Sequence, residues 1–451
     1  MASRAFVPRH ASGVKLRMPN SQQGIATPAD SDTLNYDCIA CPFCGLHCDD
    51  LVVSTKGGEV RVVENGCTLA KAGFERTRPQ AAPQIGGKDA TLDAAINAAL
   101  THIKSATLPL FGGLGTDVEG MRAIMALADK AGGVVDHALS AGLYRNTGVL
   151  QTKGWFMSTL SEARNRADLI VIVGADLSEL HPRFFERILS PAETMFGSDT
   201  DKRTIVLIGA GDGAAAKITG GRIGDLIDIP CPPDQLPAVL GNLRAVLKDV
   251  PHGSTAANVS AEQLRSLADR MKAASYGVVV WAPQALEFDG ADLVVQMISD
   301  IVRDMNKTTR FAGLSLGGND GGASAAAVCS WQSGYPLRVS FASGAPDYDP
   351  YRYDMTRMLS AGEGDLLFWV SSINPHVNGP PATSIPTIVL GTPGIALDRT
   401  PDVFIPVGTP GIDHSGRLVR CDNVVSLPLR QLRTSEHARV RDVAQRIVAG
   451  L

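Results

Sequence analysis

Four cysteines near the N-terminus constrain this chain more than any other feature. Cys41, Cys44, Cys48 and Cys67 follow the spacing C-x2-C-x3-C-x18-C, within the run Cys41-Pro42-Phe43-Cys44-Gly45-Leu46-His47-Cys48-Asp49-Asp50 and its sequel. Soft thiolates at such intervals suit a tetrahedral metal centre, either a four-thiolate zinc site or a [4Fe-4S] cluster, and the spacing does not choose between them. Cys38 is a fifth thiol just upstream, and His47 inside the loop is read as an ordinary or supporting histidine. A segment of roughly 40 residues seldom builds a sufficient core alone, so a metal or a neighbouring domain should stabilise it.

Five of the eight cysteines fall between Cys38 and Cys67, whereas Cys231, Cys329 and Cys421 are scattered and read as core packing. Clustered cysteines in a reducing compartment point to metal rather than to disulfides. No apolar run approaches the roughly 18 residues of a membrane span, and the N-terminus lacks a signal-peptide core, so a cytoplasmic protein with no membrane partner is expected. A net charge of -4 over 451 residues, with no basic stripe, gives no reason to expect nucleic acid.

Four segments are expected. Residues 1–35 are polar and aperiodic and read as a flexible arm. Residues 36–80 read as a small Cys-rich β domain, with Lys56-Gly57-Gly58 as a turn before the alternating run Glu59–Val63. Residues 81–250 form a first α/β domain and residues 251–451 a second α/β region with a C-terminal segment. Apolar runs at Asp168–Gly174, Thr204–Gly209, Val278–Trp281 and Leu366–Val370 alternate with helical periodicity over Thr91–Ile103, Gly120–Lys130, Leu236–Leu247 and Ala291–Met305. That pattern predicts buried parallel strands in doubly wound sheets, an α/β fold with a small N-terminal metal-binding domain.

Beyond the cysteines, Arg164-Asn165-Arg166-Ala167-Asp168 leads into a strand and His181-Pro182-Arg183 follows it. Cys329-Ser330-Trp331-Gln332-Ser333-Gly334-Tyr335-Pro336 precedes Pro346-Asp347-Tyr348-Asp349-Pro350. From Cys41 to the C-terminus the chain resembles the B-subunit family of formylmethanofuran dehydrogenase, in the molybdopterin oxidoreductase superfamily. In that family a cysteine or selenocysteine between the cluster domain and the Asn-Arg-Ala-Asp stretch binds molybdenum or tungsten. Here no cysteine occurs between Cys67 and Cys231, and Gly142 falls at or near that position. Ser140 is the nearby oxygen alternative.

The family's cofactor-contacting turn after Gly174 is replaced by Ala175-Asp176-Leu177-Ser178-Glu179. Its acidic stretch after Ile208 is replaced by Gly209-Ala210-Gly211-Asp212-Gly213, a loop that reads as a tight turn before it reads as a phosphate cradle. The match around Gly411–Arg417, with Asp413, His414 and Ser415, is poor. His137, His181, His376 and His414 read as structural, and Trp331, Tyr335, Tyr348, Tyr351 and Tyr353 as packing or a contact surface.

With the metal ligand missing, the resemblance is to the B subunit of the formyltransferase/hydrolase complex of methylotrophs. It implies a non-catalytic, heteromeric scaffold subunit with no molybdopterin. Its partner subunits would carry formyl transfer from formyl-tetrahydromethanopterin to a methanofuran-type cofactor, and hydrolysis to formate. The alternatives are an active molybdenum- or tungsten-pterin oxidoreductase and a stand-alone metal-binding regulatory protein.

Overall fold

The fold, seen in a computed structural model, is described for residues 33–77, 79–197, 199–218, 222–251, 258–374 and 378–451. The arm expected over 1–35 lies outside these residues except for its last three, where Leu34 already opens a strand.

The Cys-rich segment is a three-stranded antiparallel meander of β1 (Leu34–Ile39), β2 (Leu51–Lys56) and β3 (Glu59–Glu64). Gly57 and Gly58 join β2 to β3 with φ of 58° and 85°, a left-handed pair whose twist suits a tight hairpin. Period-two alternation buries Val60 and Val62 on one face. Helix Thr68–Phe74 closes the unit, and Phe74 meets Phe43 edge to face at 5.1 Å.

Two larger sheets follow. The strands are β4 (Gln84–Ile85), β5 (Lys88–Asp89), β6 (Pro109–Gly115), β7 (Val134–Val135), β8 (Leu169–Val173), β9 (Thr204–Ile208) and β10 (Leu226–Ile229). The chain continues through β11 (Tyr276–Trp281), β12 (Arg310–Ser315), β13 (Val339–Ser340), β14 (Asp347–Tyr348), β15 (Leu366–Ser371), β16 (Thr387–Gly391) and β17 (Val403–Pro406). A hairpin of β18 (Gly416–Val419) and β19 (Ser426–Leu429) completes the set.

One sheet runs β10-β9-β8-β11-β12, parallel throughout; the other runs β14-β13-β7-β6-β15-β16-β17-β4-β5 with a parallel centre. The central strands are buried on both faces, which explains their near-continuous apolar runs.

The expected division near residue 250 falls between β10 and β11, two strands of one sheet. The chain lays down part of the nine-stranded sheet, builds the five-stranded sheet from residues 169–315, and returns to the first sheet at β13. A linear domain count cannot register such a return.

The strand order reverses between β8 and β11 in one sheet and between β6 and β15 in the other. Ligands in open α/β sheets bind beyond the carboxyl ends of strands at such points. The segments there are Gly174–Asp176 and Ala282–Gln284 in one sheet, and Thr116–Asp117 and Ser372–Asn374 in the other. No helix among the described residues is long and apolar enough to cross a membrane.

Candidate functional site

The loop from Cys41 to Cys48 is closed by its own backbone, Cys41 N donating to Cys48 O at 2.8 Å and His47 N to Cys44 O at 3.1 Å. His47 adopts φ of 43°, a left-handed turn that a non-glycine residue holds only when its surroundings enforce it. Cys41, Cys44 and Cys48 are buried, and Cys67 is partly exposed at the N-cap of its helix, accepting from Ala70 N at 3.4 Å.

Burial and the neighbouring thiols push Cys41 well up, and Cys44 to about 12. Backbone bonds at Phe43, for Cys41, and at Leu46 and His47, for Cys44, work the other way by favouring thiolate. Burial raises Cys48 too, against the Arg187 guanidinium.

Three buried thiols with Cys67 at their edge, and with amides already turned towards two of the buried ones, are a donor set that would ionise if a soft cation sat among them. The residues fit a thiolate-bound metal by chemistry. Among the described residues, no three His, Cys, Asp or Glu side chains are already grouped so that they could hold a metal ion.

Two latches hold the loop. Asp50 forms a bidentate pair with Arg183 at 2.6 and 2.8 Å, and Arg187 reaches both Asp50 and Asp49. The Arg183 and Arg187 charges hold Asp50 below the usual carboxylate range despite partial burial. On the opposite side Gly45 N donates to Asn319 Oδ1 at 2.7 Å and Cys421 N donates to Gly45 O at 2.9 Å. Cys421, expected as scattered core packing, therefore lies buried beside the cysteine loop.

Asn319 and Cys421 also line a cavity of about 410 Å³ shared with Gly142, Asn146, Gln284 and Met157. It opens at the carboxyl ends of β11 and β12, and its wall is mostly apolar.

Gly142, expected at or near the position of the family's metal ligand, lies in helix Ser140–Lys153. A Cβ there would stand 3.0 Å from Gln284 N, 3.1 Å from its Cα and 3.2 Å from its Cβ. The turn Pro283–Ala285 therefore crowds any side chain at 142 on one side, while Gly142 faces the cavity on another. Ser140, the oxygen alternative, is engaged by Arg338 at 3.1 and 3.3 Å. Arg338 also pairs with Asp354 and Asp136 across a second cavity of about 560 Å³. Burial raises Asp136 to about 6 against the pull of Arg338.

The glycine loop after β9 takes φ of 59°, 93° and 79° at Gly209, Gly211 and Gly213. It borders a cavity lined by Asp212 and Asp228, with no lysine or arginine among the described lining residues, which disfavours phosphate and suits the tight-turn reading.

His137 accepts from Leu139 N at 3.0 Å and contacts Asp320 O at 3.2 Å, and His414 bonds Ser415 O and Gly408 O. His181 is fully buried with neither ring nitrogen bonded. His376 lies outside the described residues. Tyr335 stacks on Tyr348 at 4.8 Å, with Trp331 and Tyr351 exposed nearby.

No protein-family model matches the chain. It is 29% identical over 336 residues to the B subunit of the formyltransferase/hydrolase complex from Methylorubrum extorquens, covering 74% of this chain and 87% of that protein. It is 25% identical over 403 residues to the B subunit of the tungsten-containing formylmethanofuran dehydrogenase 2 of Methanocaldococcus jannaschii, covering 86% and 91%. The crystal structure of the Methylorubrum formyltransferase/hydrolase complex with methylofuran contains a chain that superposes with a TM-score of 0.69 at 28% identity. That match covers 82% of this chain and 98% of the other.

The chain is similar to these B subunits over most of its length. Acetylene hydratase from Pelobacter acetylenicus shares the fold of this chain at a TM-score of 0.60 and 11% identity, over 91% of this chain and 69% of the hydratase. The mixed α/β molybdopterin-oxidoreductase-like architecture therefore stands.

Proposed function

We propose that this chain is a non-catalytic scaffold subunit of a formyltransferase/hydrolase complex. In such a complex partner subunits move a formyl group from formyl-tetrahydromethanopterin to a methanofuran-type cofactor and hydrolyse it to formate. The observation that carries the reading is the packing of Gly142 against the backbone of Gln284. The sequence supplies no thiolate at or near that position, and a Cβ there would crowd the backbone of Gln284, which supports the reading. The relationship to the Methylorubrum B subunit supports the choice of complex.

Under this reading Cys41, Cys44, Cys48 and Cys67 hold zinc or a [4Fe-4S] cluster that fastens the N-terminal unit. The bound metal would neutralise the four thiolates and contribute to folding of the segment around them. Molybdopterin has no role.

The test is purification under native conditions followed by assay. The reading expects formyltransferase- and amidohydrolase-like subunits to accompany the chain, and formate release to need no electron acceptor. A chain that elutes alone at its 47.5 kDa mass contradicts it.

A further inference from the structure

At the opposite end of the five-stranded sheet from its switch point, the amino ends of β8, β11 and β12 border an open cleft of about 630 Å³. Arg166 ends the helix Leu160–Arg166 that leads into β8. Tyr276 and Arg310 are register partners at the first residues of β11 and β12, and with Arg166 and Phe196 they line the cleft.

The nearby carboxylates are already engaged. Glu162 closes a capping box on Thr159, and Asp168 accepts from Ser275 N at 2.7 Å and from Tyr276 N at 2.9 Å. Neither Arg166 nor Arg310 has a carboxylate partner among the described residues, so the cleft keeps two uncompensated guanidiniums on a chain whose net charge is -4.

An exposed apolar tip stands beside them. Met195 is 81% exposed, more than any other large apolar side chain among the described residues, and Phe196 is 60% exposed. The tip is held in place. Met195 N donates to Asn165 Oδ1 at 2.8 Å, Arg164 donates to Glu193 O at 3.3 Å, and the Arg166 guanidinium lies 4.6 Å from the Phe196 ring centre. Adjacent Met and Phe side chains fixed in water contribute nothing to burial in the free chain, and a surface ordered in advance loses little side-chain freedom when a partner covers it.

We propose that this surface docks an acidic segment of a partner subunit, whose carboxylates pair with Arg166 and Arg310 while an apolar residue beside them covers Met195 and Phe196. Guanidiniums without a carboxylate of their own select an anionic occupant, and the adjoining apolar tip selects a polypeptide over a small inorganic anion. The proposal rests on the reading of the chain as a subunit of a complex and says where one partner sits.

The test is hydrogen–deuterium exchange of the natively purified complex against the isolated full chain, joined to native purification of tagged variants over a salt series. Residues 193–197 should exchange roughly tenfold more slowly in the complex. Arg310→Glu and Phe196→Ser should hold a partner subunit roughly tenfold more weakly than the wild type and release it at lower salt, whereas Arg310→Lys should retain it. Arg310→Glu should melt with the wild type, since its side chain is exposed. If Phe196→Ser melts lower, Arg310→Glu decides alone. A complex whose residues 193–197 stay unprotected, or one that Arg310→Glu leaves intact, overturns this proposal while the scaffold reading stands. A chain that elutes alone overturns both. Protection that grows with the concentration of the isolated chain assigns the surface to a second copy and also overturns the proposal.

Discussion

Gly45 hangs from Asn319: its amide donates to the Asn319 Oδ1 at 2.7 Å, so the loop carrying three of the four cysteines is fastened to the wall of the Gly142 cavity. Gly45 is required there, since a Cβ would collide with Gly317 O. Asn319→Ala removes the acceptor while leaving the backbone intact, and should cost about 1–2 kcal/mol. Hydrogen–deuterium exchange should show faster exchange confined to residues 41–48, with Asn319→Asp retaining most of the protection.

Asp50 and Arg183 fasten the other side of the same loop. The pair is only partly shielded, Asp50 being 39% exposed at its side chain, so the charge alone is worth little, but the fork geometry is bidentate. Arg183→Met should lower stability by about 1–2 kcal/mol. The loss should grow as chelator removes metal, because loop and metal constrain the same segment. Denaturant melts with and without chelator measure it.

Gly142→Cys and Gly148→Cys place the same side chain on one helix in opposite surroundings. Position 142 is crowded by Gln284, whereas nothing lies within 4 Å of a Cβ at position 148. Gly142→Cys should be less stable than Gly148→Cys by ~1–3 kcal/mol, the usual cost of overpacking, and should acquire no metal. Equal melting temperatures would show that the Pro283–Ala285 turn moves aside freely.

Burial holds His181 and His137 neutral down to about 4, where an exposed histidine titrates near 6.5. Their folded values are depressed, so the stability they contribute is present above 6.5 and lost as pH falls from there towards 4, on the order of 3 kcal/mol for each at the limit. Asp136 works oppositely: its value is raised to about 6, so its contribution is present below the unfolded value and lost as pH rises through 6. His181→Gln should flatten the acid limb of a stability–pH curve, and Asp136→Asn should flatten the slope between about 4 and 6.

The sequence carried the parallel strands because Leu169–Val173 and Leu366–Ser371 are apolar on both faces, a pattern few other structures tolerate. Helix Leu236–Leu247 was legible from its periodicity. Helix Ser140–Lys153 was not, because its apolar residues fall all around its axis and its face is set by packing against residues 291–305 and the Pro283–Ala285 turn.

The loop spacing of Cys41, Cys44 and Cys48 was readable as local sequence. The approach of Cys421 to Gly45 was not, because it joins residues separated by nearly the whole chain through one backbone bond. Gly142 stood out only by the family comparison. That a Cβ there would crowd Gln284 could come from coordinates alone.

The proposed exchange of a metal-pterin site for a structural role within a complex is tested most directly by elemental analysis of that complex purified under native conditions. Zinc or iron in proportion to the cysteine site, with no molybdenum or tungsten, is the expected composition. Stoichiometric molybdenum or tungsten per chain would contradict it.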